Sequence, residues 1–424
     1  MKNLGCCILL RHRVVETRLK STGVIAAAVL RNLGSNENLT IEATYFLDAS
    51  ELGDLLPLCG AEYRTGAESR KETGEASAPE GASPGNVQSI SMCFAMEHLE
   101  GEDHVIEAPE MYTYWRDYMP RLNPSWPGKL LSWEAPNPRT MTISHYNFDP
   151  HNEVPSLFAG LWSFRRILDR EMFEPGFIES DVCMVNWPMI DYMEADILNC
   201  TEEERLRSIE RAKQLSLSVF YWLQTEAPRP DGGKGWPGLR LRKDIMGTED
   251  GLAKYPYIRE SRRIKAEFTV CEHHVAAASR PGEILAAEFE DSIGIGYYRI
   301  DLHPSTGGDN YIDVESLPFQ IPLGSLIPVE MENMLPAAKN IGTTHITNGC
   351  YRLHPVEWNI GEVAGSLVAY CLQKNQTPRS VYRDKGELRL FQEELKKKGI
   401  ELEWPSDLVL EDGDPHAHAR PASK

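Results

Sequence analysis

The sequence holds no apolar run approaching the ~20 residues a membrane-spanning helix requires, so no membrane span is expected. Basic residues are in the minority: 44 Lys and Arg face 63 Asp and Glu, a net charge of −19. That balance argues against nucleic acid as the main partner, because phosphate binding needs a basic face. Nine cysteines are unevenly spaced apart from Cys6-Cys7 and form no C-x-x-C pair. A disulfide framework is therefore not expected, and a reducing, cytoplasmic compartment is the simpler reading. The opening MKNLGCCILLRHR is too mixed in polarity for a secretory signal. Cys271-Glu272-His273-His274 brings donors together, but adjacent histidines on a strand point to opposite faces, so no metal is expected there.

The chain is organised around residues 340–372, NIGTTHITNGCYRLHPVEWNIGEVAGSLVAYCL. Val356, Ile360, Val363, Ala364, Leu367, Val368, Cys371 and Leu372 recur with the spacing of an amphipathic helix. Pro355 suits its first turn, where a missing N–H costs nothing. Gly361, Gly365 and Ala369 form a second row four residues apart, which leaves one helix face nearly bare for a close approach. Upstream, residues 335–341 read as a short buried strand. His345, Asn348, Gly349, Arg352 and His354 then read as a polar loop before the helix. Strand, loop and helix together place oriented amides where partial negative charge is stabilised.

The string NGCYRLHPVEWNIGEVAG resembles the C-terminal flavin-contacting segment of FAD-dependent oxidoreductases of the glutathione reductase type, and the resemblance runs from about residue 23 to residue 372. It implies an α/β fold, an incomplete FAD/NAD(P)-binding two-layer domain with a β-meander, and an inserted α+β substrate domain. It also implies FAD as cofactor, and a helix N-terminus facing the electron-rich edge of the flavin. Such proteins begin with a strand, a G-x-G-x-x-G turn and a helix for the pyrophosphate. Nothing before Gly23 fits, and Gly294-Ile295-Gly296 is not followed by a helix-like run. The chain therefore reads as one that enters the FAD domain part-way, without the N-terminal βαβ segment.

Residues 8–17, 24–30 and 39–47 read as an antiparallel meander with turns at 20–23 and 32–36. The third strand runs into DASELGDL, which resembles the return past the cofactor. Asp48, Ala49, Ser50, Glu51 and Gly53 are its candidate cofactor contacts; an Asp N-cap opening a helix over 50–56 is the competing reading. With Gly342, Asn348, Gly349, Pro355 and Gly361 they complete the expected cofactor set. Residues 64–88, rich in Gly, Ser, Glu and Pro, read as a mobile loop. Residues 107–148 are dense in aromatics and could wall a substrate pocket with His145, Tyr146, Asn147 and Trp162, or could be core. Residues 201–224 predict a helix capped by Thr201, with Leu206, Ile209, Leu215, Val219, Trp222 and Leu223 as its buried stripe.

VNWPMIDY and RESRR also resemble family segments. Arg259 and Arg263 could clamp a carboxylate or phosphate in bidentate fashion, or pair with Glu260 and Glu267 at a strand edge. His345 and His354 are the candidates for proton transfer, because imidazole titrates near neutrality, and Arg352 is the candidate for charge stabilisation. Tyr298, Arg299 and His303 are candidates to face the ring.

The expected segments are 1–63 and 321–375 for the FAD side and 64–320 for the substrate side, followed by a peripheral helix and a disordered tail over 376–424. The implied activity is hydride transfer between a small-molecule substrate and flavin N5, with an electron acceptor that the sequence does not identify. A cofactor-deficient homologue acting as a binding protein and a metal-assisted hydrolase are the alternatives. No oligomeric state is implied.

Overall fold

A computed structural model describes residues 5–151, 160–405, 408–409 and 420–421. The fold is mixed α/β with several small sheets, and the chain divides into two compact units. The first comprises Met1–Pro84, Glu260–Asp301 and Val314–Lys424; the second comprises Gly85–Arg259 and Leu302–Asp313.

The first unit opens with the meander His12–Ser21, Val24–Asn32 and Asn38–Glu42, antiparallel throughout. Gly23 makes its first turn at φ +76°, and a Cβ there would meet Glu330 O at 2.2 Å. Only glycine combines that backbone angle with so close an approach. The strand Phe46–Asp48 then pairs in parallel with Met334–Pro336. Asn333 stitches these pieces: its side chain accepts from Ile25 N at 2.9 Å and donates to Ile25 O at 2.8 Å and Thr44 O at 2.9 Å. Ile25, Leu55, Leu56, Cys59, Ala61, Ile264, Met331 and Met334 fill the core beneath.

The helix His354–Lys374 crosses the strand Ser292–Gly296. Of the glycine row of the helix only Gly361 meets a close neighbour, Ala337 O at 3.1 Å from where a Cβ would stand, and the tightest approaches are at glycines of the strand. A Cβ at Gly296 would lie 2.5 Å from the Phe319 ring and 2.8 Å from Val356, while Gly365 has nothing within 4 Å. Glycine in a strand commonly marks such a contact. The helix Lys385–Lys397, expected at the periphery, buries Leu388, Phe391 and Leu395, and its Glu387 accepts from the Tyr370 hydroxyl of the long helix. Of the tail, Arg420–Pro421 pairs with Leu408–Val409; residues 410–419 and 422–424 lie outside the described residues.

The second unit is built on an antiparallel sheet of Arg166–Leu168, Val182–Val185, Phe94–His98 and Leu239–Leu241 in that order. A smaller sheet places Ile90–Ser91 between Asp191–Tyr192 and Tyr257–Ile258. The helix Glu202–Thr225 carries the expected Thr201 cap as a full capping box with Glu204. It buries Leu215, Val219, Phe220, Trp222 and Leu223, but Leu206 is exposed. The apolar stripe therefore starts later along the helix than its sequence suggests. Phe148 sits among Trp162, Trp187 and Trp236 with ring centroids 4.8–5.8 Å apart, so this part of the aromatic stretch is core.

Candidate functional site

Residues 48–53 fold into a self-contained loop. Asp48 accepts from Ser50 N at 3.0 Å, Ser50 Oγ at 2.6 Å and Leu55 N at 3.1 Å, so both carboxylate oxygens are used locally. It acts as a cap at a distance on the short helix Leu55–Cys59, which begins later than the expected residue 50. Burial pushes its carboxyl pKa up, the Ser50 and Leu55 hydrogen bonds opposing. Gly53 takes φ +63°, with Arg262 O 3.0 Å from where a Cβ would stand. Ala49 and Glu51 are exposed.

Against this loop lies the turn that follows Met334–Pro336. Ala337 N donates to Asp48 O at 2.8 Å and Asn340 Nδ2 to the same oxygen at 3.0 Å. Lys339, only 4% exposed, reaches Glu51 at 2.7 Å and Glu357 at 3.9 Å. Glu357 stands in the first turn of the His354–Lys374 helix, and burial pushes its pKa up while Lys339 pulls it down. Among the described residues no side chain caps that turn, and its residues His354 and Pro355 are exposed. Gly361 lies further along, where a Cβ would be 3.1 Å from Ala337 O. The structure thus gathers Asp48, Ala49, Ser50, Glu51, Gly53, Pro355 and Gly361, and adds Lys339 and Glu357. Lys339, balanced by Glu51 and Glu357, stands beside a helix start whose free amides are donors suited to an electron-rich ring edge.

The remaining candidates go elsewhere. Residues 345–351, expected as a loop, form a short helix because Thr344 and Thr347 make a reciprocal cap. Its first amide, His345 N, donates to Glu68 at 2.8 Å, so a carboxylate of the chain already occupies that helix start. His345 Nδ1 bonds Glu260 at 2.9 Å, and Glu260 also takes Arg263 Nη1. Arg263 spends its other donors on Glu68 at 2.9 Å, Gly66 O at 2.7 Å and Thr343 O at 3.1 Å. All four side chains are buried. Burial alone would lower the His345 pKa, but Glu260 more than offsets it, so the ring is held protonated above its usual range. Two cations and two carboxylates then balance in a closed knot. Arg263 is therefore no substrate clamp, and His345 does not face solvent.

Thr344 Oγ1 also donates to Glu75 at 2.6 Å, and burial pushes the Glu75 carboxyl up. Glu68 and Glu75 come from the run read as a mobile loop, which these buried acids anchor. Gly342 is required by packing, with Ala266 Cβ 2.5 Å from a notional Cβ. Asn348 and Gly349 are buried in the short helix, and Arg352, buried after it, donates to Asp301 O at 2.8 Å.

Arg259 belongs to the second unit, where Nη2 pairs with Asp191 at 3.0 Å and Nη1 donates to Ser89 O at 2.9 Å. Cys271-Glu272-His273-His274 starts a helical turn instead of a strand, and no metal-holding group of three or more acidic, His or Cys residues occurs among the described residues. Gly233–Gly238 spells G-x-G-x-x-G, yet it leads into the strand Leu239–Leu241, and a Cβ at Gly235 would lie 2.3 Å from Gln224 O. Packing accounts for that spelling; the strand-turn-helix of a phosphate site is not formed there.

A family model described as FAD dependent oxidoreductase matches residues 1–395. No curated protein and no solved structure matches the chain.

Proposed function

The chain belongs to the FAD dependent oxidoreductase family, and from that membership we propose that it moves a hydride between a small-molecule C–H bond and FAD. The first unit carries the flavin contacts. One observation supports this reading above the others: the uncapped start of the His354–Lys374 helix beside the buried Lys339. When bound, FAD supplies the hydride acceptor. Amides of the first helical turn and the Lys339 ammonium would hold its electron-rich edge, where the charge of two-electron reduction gathers. Asp48 keeps residues 49–53 in shape as the wall of that site. His345, Glu260, Arg263 and Glu68 lock the preceding turn so that the helix start keeps its direction. Of the two histidines expected to move protons, His354 has access to do so. Arg352, just before the helix, is held by the Asp301 carbonyl.

FAD titrated into the purified chain tests the reading. Quenching of flavin fluorescence, with a yellow complex that survives gel filtration, is expected. Lys339→Met is expected to weaken that binding roughly tenfold, the loss of one charge-assisted contact. A chain that never retains FAD, or a Lys339→Met variant that binds it as well as the parent, would refute the placement.

A further inference from the structure

The helix His354–Lys374 leaves one face uncovered along its length. Trp358, Glu362, Gly365, Ala369 and Leu372 are exposed and recur at intervals of three and four residues, so they form a single stripe. Trp358 keeps 78% of its surface and Leu372 56%. One exposed apolar side chain is ordinary. A tryptophan and a leucine at opposite ends of a stripe with Gly365 and Ala369 between them present ridges and a groove to another helix. Val356, Ile360, Val363, Leu367 and Cys371 face the core from the other side, so the stripe is what the packing of the unit leaves over.

The stripe is complementary to itself when reversed. Trp358 and Leu372 each stand seven residues from Gly365, so two helices crossing antiparallel at Gly365 set Trp358 of each copy against the partner's Leu372. At the crossing itself Gly365 has nothing within 4 Å of where a Cβ would stand, and no side chain holds the axes apart. Charge follows the same symmetry. The Glu362 carboxylate has no hydrogen bond or ion pair among the described residues. Lys398, which ends the helix Lys385–Lys397, also lacks an ion pair among them, and its Nζ donates to Ser366 Oγ at 3.0 Å. Glu362 and Ser366 lie on the same flank of the stripe, one on either side of Gly365. Reversal therefore brings the partner's Lys398 to Glu362, once on each side of the twofold axis. Each helix start also faces the partner's helix end, the favourable order for the two dipoles.

We infer that this face binds a second copy of the chain, in a twofold-symmetric antiparallel pair of the 354–374 helices. Trp358 is the anchor, because a tryptophan withdrawn from water carries much of the energy of such a contact. The Glu362–Lys398 pairs set register and direction more than strength. One helix from each copy makes a small interface, so pairing is expected at roughly micromolar concentration. The contact uses neither Lys339 nor the amides of the first helical turn, so this inference and the flavin placement stand or fall separately.

The test is sedimentation velocity of the full chain without added FAD, across the micromolar range. Reductant keeps the exposed Cys6 and Cys7 from cross-linking. Rising concentration is expected to convert one chain into two. Trp358→Ala should raise the dissociation constant at least about thirtyfold. Gly365→Leu, whose side chain extends into open space in the single chain, should weaken pairing by a similar factor without unfolding it. Glu362→Lys alone is expected to weaken pairing, and the same change together with Lys398→Glu to restore it. Under oxidation, Gly365→Cys should cross-link to its own counterpart by peptide mapping, and Leu372→Cys should not. A chain that stays single throughout, a dissociation constant unchanged by Gly365→Leu, or self-cross-linking of Leu372→Cys would each overturn the inference.

Discussion

Replacing Arg263 by Met should be among the most damaging single changes in the first unit. The guanidinium has no exposed surface and satisfies four acceptors: Glu260, Glu68, Gly66 O and Thr343 O. Its loss turns a balanced knot of two cations and two carboxylates into one with an uncompensated buried negative charge. It also leaves two buried carbonyls without their donor. Breaking a buried pair from one side costs about 3–5 kcal/mol, and the two carbonyls keep the figure at the upper end. Arg263→Lys keeps the charge but cannot span four acceptors with one ammonium, so a loss of roughly 1–3 kcal/mol is expected. Hydrogen exchange read by mass spectrometry over residues 64–84 and 340–352 reports the knot locally. Protection there should fall by the same free energy, while peptides from 202–225 keep theirs. A loss below about 1 kcal/mol in Arg263→Met, the range of exposed ion pairs, would refute the balance argued for the knot.

Three further outcomes follow from the same contacts. His345 has its folded pKa raised above the usual 6.5, so its contribution to stability is complete below about pH 6.5 and is lost as pH rises through the folded value. Urea midpoints measured from pH 6 to 9 should fall in the parent and flatten in Glu260→Gln; an equal slope in both would count against the Glu260 contact. Gly296→Ala places a methyl 2.5 Å from Phe319 and 2.8 Å from Val356, and should cost about 1–3 kcal/mol through overpacking, visible as a lowered melting temperature. Thr201→Ala removes a capping box and should cost about 1 kcal/mol, seen as faster exchange confined to the first turn of the 202–225 helix.

Local chemistry made several elements legible before any coordinates. Thr201 followed by three glutamates and a 3.6-residue apolar period gives the long helix to within a residue, because caps and periodicity act between near neighbours. Gly23 between two strand-like runs gives the hairpin for the same reason, and the 340–372 string carries the family. The loop read over residues 345–351 failed on a cap that was itself local: Thr344 and Thr347 close a helical turn that the polar composition disguised.

What only the tertiary structure decided is which charges are buried and whom they meet. Glu68 and Arg263 lie 195 positions apart and Asp191 and His303 112 apart, and no periodicity marks either pair. Glu68 and Glu75 sit in a run whose composition spells an exposed loop, yet their carboxylates satisfy buried cations and hydroxyls. The Coulomb term that holds them depends on distance and local dielectric, and long-range folding fixes both. Sequence supplied the chemical groups; strand register and packing selected which of them are buried and paired.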